Sequence, residues 1–180
     1  MENQRLVNFM NQELSNYFVM NVKLHRYHWF AKGHHFFHLH EKFQELYEMF
    51  AEDLDEIAER ILMIGGRPLA TMKKYLKEAT LEEASADDEE TEMVSQLLAD
   101  LRKIATEMNE NGIPLAEELR DAPTADLLTT LCGKIEKYIW MFDAYLREEQ
   151  EHQRGMREMN EEAGYRRNRT DRGGENFTQH

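Results

Sequence analysis

Two long apolar stripes at helical spacing, each closed by a backbone-breaking cluster, constrain this chain most. The first runs Leu6, Met10, Leu14, Tyr17, Leu24 and His28, with polar Asn21 in the remaining slot, and ends at Lys32-Gly33. The second runs Phe36, His40, Phe43, Tyr47, Phe50, Leu54, Ala58 and Ile61, and stops at Gly65-Gly66-Arg67-Pro68. Steps of three and four residues keep side chains on one face of a helix. Glycine then supplies the left-handed cap, and proline forbids continuation.

The rest of the chain repeats the pattern. Thr71 to Ala79 reads as a short helix with Met72, Tyr75 and Leu76 on one face, and the acidic stretch Glu82 to Glu92 as a solvated loop. A third long helix carries Met93, Leu97, Leu101, Ile104 and Met108, and Asn111-Gly112-Ile113-Pro114 kinks or interrupts it. Asp121-Ala122-Pro123-Thr124 precedes a fourth helix, with Thr124 as its N-cap and Leu128, Leu131, Ile135, Tyr138, Phe142 and Tyr145 as its stripe. That helix is expected to fray through Glu148 to Glu162. From Gly164 the composition turns to arginine, asparagine and glycine, which predicts a mobile tail. The expected architecture is all-α: a four-helix bundle over residues 1–162 with a short extra helix in the central crossover, then an arginine-containing tail over 163–180.

Composition agrees with helix and narrows function. Three prolines and nine glycines in 180 residues leave few breaks. The eleven methionines read as plastic core filler. A formal charge of −13 opposes a surface that binds nucleic acid all round, and favours attraction of cations. One cysteine, Cys132, cannot form an internal disulfide, which suits a reducing cytoplasm. The N-terminus shows no targeting segment, and no apolar run approaches a membrane span.

Six of the eight histidines lie between Leu24 and His40, and Asp55 and Glu59 follow on the second stripe. Imidazole and carboxylate together suit iron, manganese or zinc. Asp55 and Glu59, at i and i+4, share one helix face. His40 precedes Asp55 by fifteen residues, roughly 22 Å at 1.5 Å per residue, so no ion touches both within one copy. Two copies of this helix packed antiparallel about a twofold axis would bring His40 of one to the carboxylates of the other, twice per dimer. His28, just before the Gly33 turn, can lie beside His40 in its own chain. The competing readings are a packed core histidine and a surface ion pair of Asp55 or Glu59 with Arg60. His25, His34, His35 and His38 read as loop or surface residues. The intrasubunit di-iron pattern needs Glu-x-x-His on two helices, and only Glu149-x-x-His152 matches it, so that arrangement fails.

At these residues the sequence resembles the Dps family, the ferritin-like DNA-binding proteins from starved cells. The matching pieces are His28-Trp29, Gly33, Phe36-Phe37, Leu39-His40-Glu41-Lys42, Asp55-Glu56, Ala58-Glu59-Arg60 and Gly65-Gly66-x-Pro68. Thr124-Ala125-Asp126-Leu127 and Ile139-Trp140-Met141-Phe142 extend the match, which covers about Leu6 to Leu146.

The resemblance implies a ferritin-like four-helix bundle that assembles into a hollow homododecamer. It implies ferroxidase centres at twofold interfaces, with His28 and His40 from one subunit, Asp55 and Glu59 from its partner, and Trp29 beside them. Two irons per site would be oxidised, preferably by hydrogen peroxide, and stored as Fe(III) mineral, protecting the cell from oxidative damage. Gln44 stands where many members carry an aspartate, which implies a weak second iron position. Asp126, with Glu117 and Asp121 as weaker candidates, would line an acidic pore. Two other functions compete with the ferroxidase. One is DNA binding at the nucleoid through Arg166, Arg167, Arg169 and Arg172; the other is a structural zinc site at the dimer interface. No membrane partner is expected.

Overall fold

The computed structural model describes residues 2–85 and 89–171. Among these the chain forms six α-helices and no strand: α1 (Glu2–Phe30), α2 (Phe36–Met63), α3 (Met72–Glu78), α4 (Glu90–Glu107), α5 (Ile113–Glu118) and α6 (Ala122–Asp171). The chain divides into two units, residues 1–142 and residues 143–180.

In the first unit the stripes of the first and third long helices become core. The buried face of α2 instead runs through Leu39, Phe43, Leu46, Phe50, Asp53, Ile57 and Ile61, so that Phe36, His40, Tyr47, Leu54 and Ala58 of the predicted stripe are only half-buried at its edge. Leu6, Met10, Leu14 and Leu24 of α1 are fully buried, as are Phe43, Leu46, Phe50 and Ile61 of α2. Leu97, Leu101 and Ile104 of α4 join them, with Leu128, Leu131 and Ile135 of α6. Each such side chain contributes about 1.5–3 kcal/mol of transfer free energy. The five-residue link 31–35 makes α1 and α2 close neighbours that pack along much of their length. Gly33 closes α1 with φ +103° and Gly65 closes α2 with φ +77°, conformations that side-chain-bearing residues avoid.

The crossover between α2 and α4 is latched onto α1 by two asparagines. Asn11 donates to Arg67 O (3.1 Å) and accepts from Leu69 N–H (2.8 Å). Asn16 Oδ1 accepts from the backbone N–H groups of Thr80 (2.8 Å) and Leu81 (3.2 Å). These bonds satisfy backbone groups that α3 and its flanks cannot pair among themselves.

The interruption expected at Asn111 to Pro114 takes the form of a π-helical turn, Met108–Gly112, between α4 and α5. Pro114 falls in the first turn of α5, where a missing N–H is least missed. Two other expectations change. Asp121, not Thr124, caps α6: its carboxylate accepts from Thr124 N–H (3.2 Å) and Thr124 Oγ1 (2.8 Å). The helix also persists past Gly164 to Asp171, where composition predicts a tail from residue 163. One interior glycine costs only about 1 kcal/mol, which the surrounding glutamates, arginines and alanine offset. Residues 172–180, with Arg172, lie outside the described residues.

Candidate metal centre

His28 occupies the last turn of α1 and His40 the start of α2, on either side of the Gly33 turn. Their rings stack with centroids 3.6 Å apart and planes 21° from parallel. Two reciprocal bonds lock them: His28 Nδ1 lies 2.8 Å from His40 O, and His40 Nδ1 lies 2.8 Å from His28 O. Because a carbonyl only accepts, each Nδ1 carries the proton. The Nε2 of each neutral ring is then left with its lone pair, the state in which imidazole binds a metal. The bond to His28 O also occupies a carbonyl that the end of α1 leaves unpaired.

Other rings hold this pair. The Tyr47 ring meets His28 edge-on at 5.4 Å and stacks on His25 at 4.0 Å. His25 Nδ1 donates to Asn21 O (2.7 Å), and Trp29 packs edge-on against His25 at 5.6 Å. His25 is thus a half-buried helical residue, not the loop or surface histidine expected. Its sequence signal was the spacing Asn21, His25, Trp29, each a helical turn apart. His35 hydrogen-bonds Glu90 through its backbone N–H and its ring, both at 3.2 Å, and so anchors the link to α4.

The carboxylates lie elsewhere on α2. This helix is continuous from Phe36 to Met63, so the separation of His40 from Asp55 and Glu59 along its axis holds. Asp55 and Glu59 are exposed. Arg60 does not pair with them: its guanidinium reaches Asp121 Oδ1 (2.5 Å) and Thr124 Oγ1 (2.8 Å). By contrast, Asp53 turns into the core and pairs with Lys134 at 2.5 Å. Burial pushes the Asp53 carboxyl up, and Lys134 opposes that shift. Successive carboxylates of α2 are therefore sorted between inside and outside. Among the described residues of one subunit, no group of three or more His, Cys, Asp or Glu could hold a metal.

The remaining predicted residues are placed as follows. Trp29 is 67% exposed, beside His25. Gln44 donates to Glu48 (2.8 Å), so its amide is engaged one turn further along α2. Asp126 and Glu117 are exposed, whereas Asp121 is committed to the α6 cap and to Arg60.

A family model for the ferritin-like domain matches residues 7–152. The chain is 44% identical over 143 residues to general stress protein 20U of Bacillus subtilis (strain 168), covering 79% of this chain and 98% of that protein. It is 40% identical over 144 residues to DNA protection during starvation protein 2 of Bacillus anthracis, covering 80% of this chain and 98% of that protein. The solved structure of Dps from Listeria monocytogenes superposes with a TM-score of 0.75 at 39% identity, over 78% of this chain and 92% of that one. The chain belongs to the Dps family of ferritin-like proteins. A Dps protein from Bacillus brevis gives a TM-score of 0.78 at 39% identity, over 81% of this chain and 97% of that one. The all-α Dps fold, with α3 in the central crossover, is the one the sequence predicts. The ferritin-like match ends at residue 152, so nineteen residues of α6 (171 − 152) continue past it.

Proposed function

We propose that this Dps protein is a ferroxidase and iron store, with centres shared between subunits. His28 and His40 of one subunit would face Asp55 and Glu59 of its neighbour. The observation that carries this reading is the stacked histidine pair, whose reciprocal Nδ1 bonds leave both Nε2 atoms available. Two further features support an incomplete site in a single subunit. The Asp55 and Glu59 carboxylates are exposed, and Trp29 and Phe37, close to the histidines along the chain, are 67% and 80% exposed. Large exposed apolar groups of this kind suit an interface between copies. A homododecamer with tetrahedral symmetry, acidic pores lined by Asp126 and Glu117, and a cytoplasmic location complete the proposal. No helix among the described residues is long and apolar enough to cross a membrane.

The substrates are Fe(II) and hydrogen peroxide. Two Fe(II) ions give up one electron each to one peroxide, whose O–O bond breaks to yield two hydroxide ions. Neither electron is delivered singly, so no hydroxyl radical is released. The fixed histidines supply neutral donors, and the carboxylates favour the harder Fe(III) product. Gln44, a neutral amide turned toward Glu48, leaves the second iron position weakly held.

The test is anaerobic Fe(II) titration followed by peroxide addition. A His40→Ala/Glu59→Ala variant is expected to oxidise iron at least tenfold more slowly than wild type, with one tight iron per site in the wild type. Equal rates would overturn the proposal and favour a structural metal such as zinc.

DNA protection is the second reading, because several relatives carry that name, including the Bacillus anthracis protein. Arg166, Arg167, Arg169 and Arg172, multiplied over an oligomer, are its candidate phosphate contacts. The charge of −13 opposes it. Gel shifts at two salt concentrations, with and without residues 165–180, test this reading; binding unchanged by the truncation removes the tail from it.

A further inference from the structure

The Glu149-x-x-His152 motif takes no part in the proposed centre, yet His152 lies on α6 with Met156 and Met159 beyond it. The positions i, i+4 and i+7 fall within an arc of about 60° on one helix face, with rises of about 6 and 4.5 Å. Long side chains on a helix all lean toward its N-terminus and so keep this spacing, while the rotatable bonds of each methionine let its sulfur swing toward His152. All three side chains are exposed, Met156 at 52% and Met159 at 69%.

Methionine is normally a packing residue, and a packing stripe would carry Leu, Ile, Val or an aromatic ring beside it. From Arg147 to Glu161 there is none: Met156 and Met159 are the only large apolar side chains, among glutamate, arginine and amide residues. What the face offers is two sulfurs and an imidazole. Thioether donors are soft and select Cu(I) over harder cations, and imidazole is compatible with it. The surrounding acidic residues favour the approach of a cation. Met156 and Met159 lie past the residues matched by the ferritin-like family model, whose last matched residue is His152, so the two sulfur donors are additions to the matched domain.

We propose that His152, Met156 and Met159 form a Cu(I)-binding site on the C-terminal part of α6, separate from the iron chemistry. The intact protein binds Cu(I) there through the Met156 and Met159 sulfurs and a His152 ring nitrogen, with no change of oxidation state.

The experiment is anaerobic Cu(I) titration of the intact protein against a chromophoric Cu(I) chelator. Wild type is compared with Met156→Leu/Met159→Leu and with His152→Gln. Leucine keeps the helix propensity and the apolar surface but removes the sulfur. Cys132, His28 and His40 are retained in every sample, so any copper they bind cancels. The double leucine variant is expected to lose one equivalent per subunit or to weaken that equivalent at least tenfold, with the helical circular dichroism signal unchanged. His152→Gln is expected to weaken it less, to a three- to tenfold extent. The same stoichiometry and affinity in wild type and in Met156→Leu/Met159→Leu would overturn the proposal.

Discussion

Glu13 lies fully buried on α1, with one carboxyl oxygen accepting only a long bond from Asn16 (3.4 Å) and the other lacking a hydrogen-bond partner. Burial, reinforced by the nearby Glu107 charge, pushes its carboxyl well above the usual carboxylate range. Glu107 is better served, accepting from Thr80 Oγ1 (2.9 Å), Asn16 Nδ2 (3.1 Å) and Gln12 Nε2 (3.4 Å). The folded state therefore binds the Glu13 proton more tightly than the unfolded chain does. Its contribution to stability is full below the unfolded value of about 4.3 and is lost as pH rises through the raised folded value. Glu13→Gln removes the proton demand and supplies an amide donor for Glu107. Thermal melts are expected to show this variant more stable than wild type at pH 7.5, by about 1–2 kcal/mol per subunit, with the gap closing toward pH 5. A gap that stays constant across that range would show that Glu13 does not titrate there. At this scale the meeting of His28 and His40 was legible, because they flank a glycine turn that folds α1 back onto α2, although both rings lie half-buried rather than on the inward faces. The reciprocal ring–carbonyl bonds were not, since they depend on where α2 sits against the end of α1. The same holds for the Tyr47–His25 stack.

Between α4 and α5, Gly112 is required by contact rather than by backbone conformation. A methyl group there would sit 2.2 Å from Phe9 Cε1 and 3.0 Å from Leu128 Cδ1. Gly112→Ala is expected to destabilise the fold by about 1–3 kcal/mol in chemical denaturation, through overpacking against α1. At the start of α6, Asp121 both caps the helix and pairs with Arg60, their side chains 17% and 18% exposed. Asp121→Ala is expected to cost about 1–2 kcal/mol, mostly the lost cap, while Asp121→Asn keeps much of it. Helix existence and most of the buried positions were readable from spacing. On α2, however, the buried face passes through Leu39, Leu46 and Ile57 rather than Phe36, Tyr47 and Leu54, because two apolar rows run side by side there. The interruption at Asn111 to Pro114 was legible, though not its form as a π turn, and the error at this join was the cap, which falls three residues earlier than Thr124. The end of α6 was missed because composition reports polarity, and a polar helix is as polar as a tail.

Across the whole molecule, one subunit holds the histidine half and the carboxylate half of the proposed centre at positions too far apart on α2 to meet. That separation was visible in the sequence as a count of residues, and the unbroken helix turns it into a distance. The proposed centre is therefore made by two chains. The direct measurement is complementation between inactive subunits. Subunits carrying His40→Ala and subunits carrying Glu59→Ala are each assembled alone, and then co-assembled at equal amounts, and peroxide-dependent Fe(II) oxidation is followed. In a mixed pair, the Glu59→Ala chain supplies intact histidines to the intact carboxylates of the His40→Ala chain, so one of two sites is whole. With random pairing, about a quarter of wild-type sites are restored. A shared centre gives low rates for each variant alone and a rise to about a quarter of the wild-type rate on mixing. A mixture no faster than the average of the two variants alone would contradict it.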